Sequence, residues 1–282
     1  MKKEKVDKAL FTLRIKKRHI LILIFLIVGG LLVYSDYFRE YMTLPQSAAV
    51  LLKDNDINLQ SKKILIFAPH CDDEALGQGG LIKRAKDQNS EVKVIMVTDC
   101  NKHKNGSLRQ QETLSALSTL GVNSSVQFWN FSEGRAKSQA DTDKLREKMK
   151  DLLSSYEPDY IFAPHPDDTH EDHHWVGKTY REIDPSLRPK DKTLYYLIHY
   201  NFLKYPSPSG LNPDSFLTPP IKLIKPHQLW YKIPLSAGEE DAKEEAILKY
   251  KSQLKATNPV LNRVLLDFIR KNELFMIDNS DA

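Results

Sequence analysis

Lys63–Ala68 (KILIFA) and Val92–Thr98 (VKVIMVT) are short, nearly unbroken apolar runs bounded by turn residues. A strand that is apolar on both faces must be covered on both faces, which is the situation of a strand inside a parallel sheet. Val126–Phe131 and Asp159–Ala163 repeat the pattern at similar spacing, and the helical stretches Glu74–Asp87, Ser107–Leu120 and Thr142–Ser155 fall between them. Strand–helix alternation of this kind predicts an α/β doubly wound sheet with helices on both faces. The pattern then loosens. Helix His173–Ile183, strands Thr193–Tyr200 and Gln228–Leu235, and helices Glu239–Gln253 and Pro259–Asn272 are expected. Tyr205–Pro220 carries five prolines and no helical period, so it reads as a loop, either a binding or lid segment or a surface insertion.

Charge distribution decides what the chain does not bind. The formal charge is +4, but residues 1–19 hold eight Lys/Arg against Glu4 and Asp7, a net of +6. The remaining 33 basic and 35 acidic residues leave −2, which excludes a nucleic-acid footprint on the folded part. Directly after the basic tail, Ile20–Tyr34 is fifteen residues without a charge. As a helix it spans about 22 Å at ~1.5 Å per residue, and Tyr34, Tyr37 and Phe38 extend it as an interfacial belt. We expect a basic cytoplasmic tail (1–19), a transmembrane signal anchor (20–38), a polar juxtamembrane stalk (39–61), a catalytic domain (62–276) outside the cytoplasm and a short C-terminal tail (277–282). A cleaved signal peptide is the competing reading of the same residues.

Ligands of open α/β sheets bind beyond the carboxyl ends of the strands. Two such ends are rich in His and carboxylates: Ala68-Pro69-His70-Cys71-Asp72-Asp73-Glu74, and Ala163 through His174. Twelve of these nineteen residues are His, Asp or Glu, and both segments open on one edge of the sheet. Hydrolytic metal sites commonly use two His and one carboxylate and leave a position for water. A second, unligated carboxylate beside that water can act as general base.

At these residues the chain resembles the PIG-L/LmbE-like deacetylases, zinc enzymes with a Rossmann-like three-layer fold that remove acetyl from N-acetylglucosamine-type substrates. The family's opening Ala-His-Pro-Asp-Asp-Glu appears as His70-Cys71-Asp72-Asp73-Glu74, and its later His-x-Asp-His as His170-Glu171-Asp172-His173. Arg109-Gln110-Gln111-Glu112, Ser252-Gln253 and Glu273-Leu274-Phe275 are similar to further landmarks. The resemblance implies that His70, Asp73 and His173 bind Zn2+ (Fe2+ or Co2+ being chemically compatible) and that Asp72 is the general base. It implies that His170 stabilises the oxyanion, with Asp172 holding the His170 ring, and that Arg109 binds the sugar or an attached group. Glu133 stands where the family usually has Asp, as a substrate-binding candidate. Tyr250 stands where a His is common, and Cys71 where a Pro is usual. Ala163-Pro164-His165-Pro166-Asp167-Asp168 imitates the opening motif; its place predicts that His165 and Asp168 line the mouth of the site.

Weaker signals are given bland expectations. Gly77, Gly79 and Gly80 serve close helix–sheet packing, since no Lys-Ser/Thr follows them. Trp129, Trp175 and Trp230 pack in the core or at its rim. His103, His199 and His227 are isolated surface or core histidines, and Cys71 and Cys100, both just past adjacent strand ends, are expected as free thiols with a disulfide between them as the alternative. The expected activity is zinc-dependent N-deacetylation of N-acetylglucosamine units in a cell-surface glycolipid or polysaccharide, by an enzyme held at the membrane through its N-terminal helix. An amide hydrolase acting on an amino-sugar conjugate, or a non-catalytic glycan-binding module, are the alternatives.

Overall fold

The computed structural model describes residues 16–41, 43–134, 136–189, 192–200, 205–206, 214–254 and 264–279, with side chains described outside 35–41. The first element, α1 (Lys17–Tyr41), has 25 residues and about 37 Å of length at ~1.5 Å per residue. It is long and apolar enough to cross a membrane, and nearly all its side chains from Ile20 to Tyr34 are exposed.

The second unit begins at Tyr41 and holds an eight-stranded sheet. Its elements are β1 (Lys53–Asp54), β2 (Lys63–Ala68), α2 (Asp73–Asp87), β3 (Glu91–Thr98), α3 (Gly106–Thr119), β4 (Val126–Phe131), α4 (Gln139–Tyr156), β5 (Tyr160–Pro164), α5 (Glu171–Arg181), β6 (Thr193–Tyr196), β7 (Gln228–Pro234), α6 (Ala237–Ile247) and β8 (Asn272–Asp278). The strand order is β1-β7-β8-β6-β5-β2-β3-β4. Strands β2 to β6 pair in parallel, and β8 runs antiparallel between β6 and β7. From β2 the chain moves outward through β3 to β4, then returns to β5 on the other side of β2. Right-handed crossovers in opposite directions put α2 and α3 on one face and α4 and α5 on the other. The gap between β2 and β5 is therefore the topological switch point, where a crevice opens at the carboxyl ends.

The central strands are as buried as their composition demands: Leu65, Phe67, Val94, Ile95 and Ile161 are inaccessible to solvent. Close approach uses glycine. A Cβ on Gly77 would lie 2.8 Å from the Tyr196 ring, and one on Gly80 would lie 2.7 Å from Leu235. On α5 a Cβ at Gly177 would lie 2.4 Å from the Pro164 carbonyl oxygen, so this helix seats directly on the end of β5.

Two expectations of the chain pass are corrected. The segment read as a stalk joins the domain from residue 43 on: β1 pairs with β7, and Ala49 and Leu59 are fully buried. Asn272–Asp278 is a buried strand rather than the end of a helix and the start of a tail. Residues 259–263 of the expected last helix and 207–213 of the proline-rich loop lie outside the described residues, as do residues 1–15 of the basic tail.

Candidate active site

The loop after β2 and the first turn of α5 meet at the switch point. His70 Nδ1 lies 3.1 Å from His173 Nε2, and Asp73 Oδ2 lies 3.1 Å from that Nε2 and 3.6 Å from the His70 Nδ1. Each histidine is backed by a carboxylate on its other nitrogen. Asp172 Oδ2 is 3.0 Å from His70 Nε2, and Asp168 Oδ2 is 3.3 Å from His173 Nδ1. A proton on each carboxylate-facing nitrogen leaves both inner nitrogens as lone pairs, facing each other and a carboxylate oxygen without a hydrogen among them. Three buried acceptors in contact fit a cation: two donors of a tetrahedral ion with bonds of ~2.0–2.1 Å are roughly 3.3 Å apart. His70, Asp73 and His173 thus form one donor set.

Asp72 stands beside this set as the N-cap residue of α2, at φ 136°, a backbone region that side-chain-bearing residues rarely occupy. Such strain costs about 1–3 kcal/mol and persists only where the surroundings over-determine it. Here the surroundings do. The backbone N–H of His70 donates to Asp73 Oδ2 at 2.7 Å, and the N–H of Asp72 donates to Glu74 Oε2 at 3.3 Å. Arg109 Nη2 donates to the Cys71 carbonyl at 2.7 Å and to Asp72 Oδ2 at 3.3 Å. A disulfide joins Cys71 to Cys100 beyond β3, overturning the expectation of free thiols. Burial lifts the Asp72 carboxyl well above the ordinary range against the pull of Arg109, and Asp73, Glu74 and Glu133 add to the rise. That suits a group that must accept a proton near neutral pH. Beneath it, burial lifts Glu74 to about 7, and Tyr250 donates its hydroxyl to Glu74. Tyr250 thereby ties the C-terminal part of the chain to the catalytic loop, as does Ser252, whose N–H and hydroxyl donate to Glu112.

His170 caps α5, and its Nδ1 accepts the N–H of Asp172 at 3.2 Å. The proton of the neutral ring therefore sits on Nε2. Burial, then the neighbouring His70 and His173, pull this ring down to about 3, so it is a neutral hydrogen-bond donor rather than an acid.

Several site residues are placed differently from the sequence expectation. The Asp172 carboxylate holds His70, not His170, and also accepts from Gly134 N–H and pairs with Lys137 Nζ at 2.8 Å. Lys137 carried no sequence signal. Arg109 is 4% exposed, and its guanidinium meets the Cys71 carbonyl, Asp72 and Glu133. Glu133 accepts in turn from Arg109 and the Lys102 N–H. His165 is fully buried, stacked on Trp230 with ring centroids 5.3 Å apart, and takes no part in the donor set. Asp168 is 3% exposed and receives the N–H groups of Ile198 and His199 as well as facing His173, so it orients a ligand instead of lining the mouth. His199, read as isolated, joins the cluster: its ring lies 4.6 Å from that of His173.

This geometry can be set beside known proteins. The family model described as GlcNAc-PI de-N-acetylase (PIG-L) matches residues 65–183, which run from β2 through α5 and include both site loops. Residues 65–183 are thus similar to this family. A curated relative, the diacetylchitobiose deacetylase of Thermococcus kodakarensis, is 24% identical over 157 residues, 50% of this chain and 57% of the relative. The chain thus spans little more than half the length of that relative. The chain shares its fold with N,N'-diacetylchitobiose deacetylase from Pyrococcus horikoshii (TM-score 0.53, 19% identity, 87% of this chain and 93% of that one). It also shares it with the zinc-inhibited form of teicoplanin deacetylase Orf2 (TM-score 0.53, 12% identity, 78% and 99%).

Proposed function

We propose that this protein is a metal-dependent N-deacetylase acting on N-acetylglucosamine units of a cell-surface glycolipid or polysaccharide. The observation that carries the reading is the convergence of three metal-capable atoms, His70 Nδ1, Asp73 Oδ2 and His173 Nε2, with the Asp72 carboxyl next to them. A divalent cation held there, zinc first, supplies Lewis-acid chemistry: it polarises a carbonyl and makes water acidic near neutral pH. Asp72 takes the proton from the attacking water as the water oxygen bonds to the acetamide carbon. Nε2–H of His170 donates to the carbonyl oxygen while that oxygen carries negative charge. The C–N bond then breaks, the proton held on Asp72 passes to the departing nitrogen, and acetate and a free amine are released. The family match and the deacetylase relatives support the reaction class, the latter by what those proteins act on.

Full-length protein supplied with zinc and N-acetylated wall glycans is expected to release acetate, and chelation is expected to abolish the release. Acetate release that survives complete metal removal would overturn the metal-dependent reading.

The proposal extends to place. The net charge of +6 over residues 1–19, ahead of the apolar run from Ile20, favours a cytoplasmic N-terminus and a domain outside, by the bias that keeps Lys and Arg in the cytoplasm. The Cys71–Cys100 disulfide supports the same side, because disulfides persist in oxidising compartments. A C-terminal alkaline phosphatase fusion should be active and a green fluorescent protein fusion dark. The opposite pattern would favour a cytoplasmic amide hydrolase acting on an amino-sugar conjugate.

A further inference from the structure

His199 follows β6, the third strand end to open on the switch-point crevice, and lies beyond the segment that matches the family. Both of its backbone groups are clamped: its N–H donates to Asp168 Oδ2 at 3.0 Å, and its carbonyl accepts the Thr169 N–H at 3.0 Å. The carboxylate that receives the His199 N–H is the one that backs His173, so a single side chain sets the position of both residues. The ring is turned to the other histidines, 4.6 Å from His173 at 61° and 4.9 Å from His170 at 40°. Neither of its nitrogens hydrogen-bonds to a described residue. One of them, with donor atoms of His70, Asp73 and His173, forms a group lying within 4.8 Å of one another.

We infer that His199 is a fourth protein donor to the cation, giving a three-histidine, one-carboxylate site. The inference rests on the metal reading above and deepens it. The most distant donors of one ion with bonds of ~2.1 Å are roughly 4.2 Å apart, so four atoms within 4.8 Å of one another lie close to bonding range. A ring fixed by its backbone, with no other hydrogen-bond partner among the described residues, gives up little to make that bond. A four-donor site would hold its ion more tightly than a three-donor one.

The test is binding rather than turnover. Full-length protein in detergent, stripped of metal, is titrated with zinc against a competing chelator as wild type, His199→Ala, His199→Gln and His170→Ala. We expect both His199 variants to raise the zinc Kd at least roughly tenfold, the scale on which even outer-shell partners of metal ligands act, and His170→Ala to leave it near wild type. X-ray absorption at the zinc edge of loaded wild-type protein should fit three imidazoles, a reading that needs no variant to fold. Two imidazoles, or a Kd unchanged by His199→Ala and His199→Gln, would overturn the assignment while leaving the three-donor site standing. Wild-type protein that takes up no zinc, cobalt or iron would remove the metal reading itself, and this inference with it.

Discussion

Replacing Asp72 by Asn is expected to lower kcat by roughly 10²–10⁴ while the protein keeps its metal. Asn preserves the size of the side chain, still accepts from Arg109, and tolerates positive φ better than most residues, so the loop should hold its shape. What disappears is the ability to take a proton. Asp73→Asn is the same chemical change one residue on, yet it removes a donor 3.1 Å from His173 Nε2 and should cost bound metal as well as activity. His173→Ala should behave like Asp73→Asn. Metal analysis run beside acetate-release kinetics separates the two classes. If Asp72→Asn empties the site and Asp73→Asn does not, the roles of the two aspartates are the reverse of those assigned here.

Removing the disulfide, by the paired change Cys71→Ser and Cys100→Ser, is expected to cost about 3–4 kcal/mol. The estimate comes from the chain entropy of closing a loop with a sequence separation of 29. For a domain of this size, that lowers Tm by roughly 7–14 °C. The effect should reach catalysis, because Cys71 lies between His70, the proposed ligand, and Asp72, the proposed base, and the bridge is one of the ties that keep Asp72 at φ 136°. Arg109 still grips the Cys71 carbonyl, so the variant should fold and bind metal with a lowered kcat. Thermal melts and kinetics before and after mild reduction of wild type provide the check. Identical melts and rates with and without the bridge would show that Arg109 and the hydrogen bonds hold the loop unaided.

Buried supports surround the site. Asp168, Asp172, Arg109, Glu74 and Lys137 are ionisable and largely buried, and each is aimed at another protein group. Buried charges are tolerated only when paired and hydrogen-bonded. The pairing here runs inward to the histidines and to Asp72, which fixes their tautomers and orientation ahead of any ligand.

What the amino-acid sequence determined by itself is local in character. Runs such as KILIFA and VKVIMVT must be covered on both sides wherever they lie, so the parallel core and its alternation with helices were legible from β2 to β5. Because strands of such a sheet open on a common edge, His70, Asp73 and His173 could be assigned to one place from their positions at strand ends. The tertiary structure alone decided which partner each charged group meets. Asp172 is two residues from His170, but an N-cap turn directs its backbone N–H to that ring and its carboxylate to His70, 102 positions away. Arg109 and Glu133 were polar residues near a site, and only packing shows that they neutralise each other and hold Asp72. His199 stands in no motif, and Asn272–Asp278 could be known as a strand only once β6 and β7 lay on either side of it. Burial is a property that a segment carries in its own composition. Pairing is a property of two segments, and folding chooses the second one.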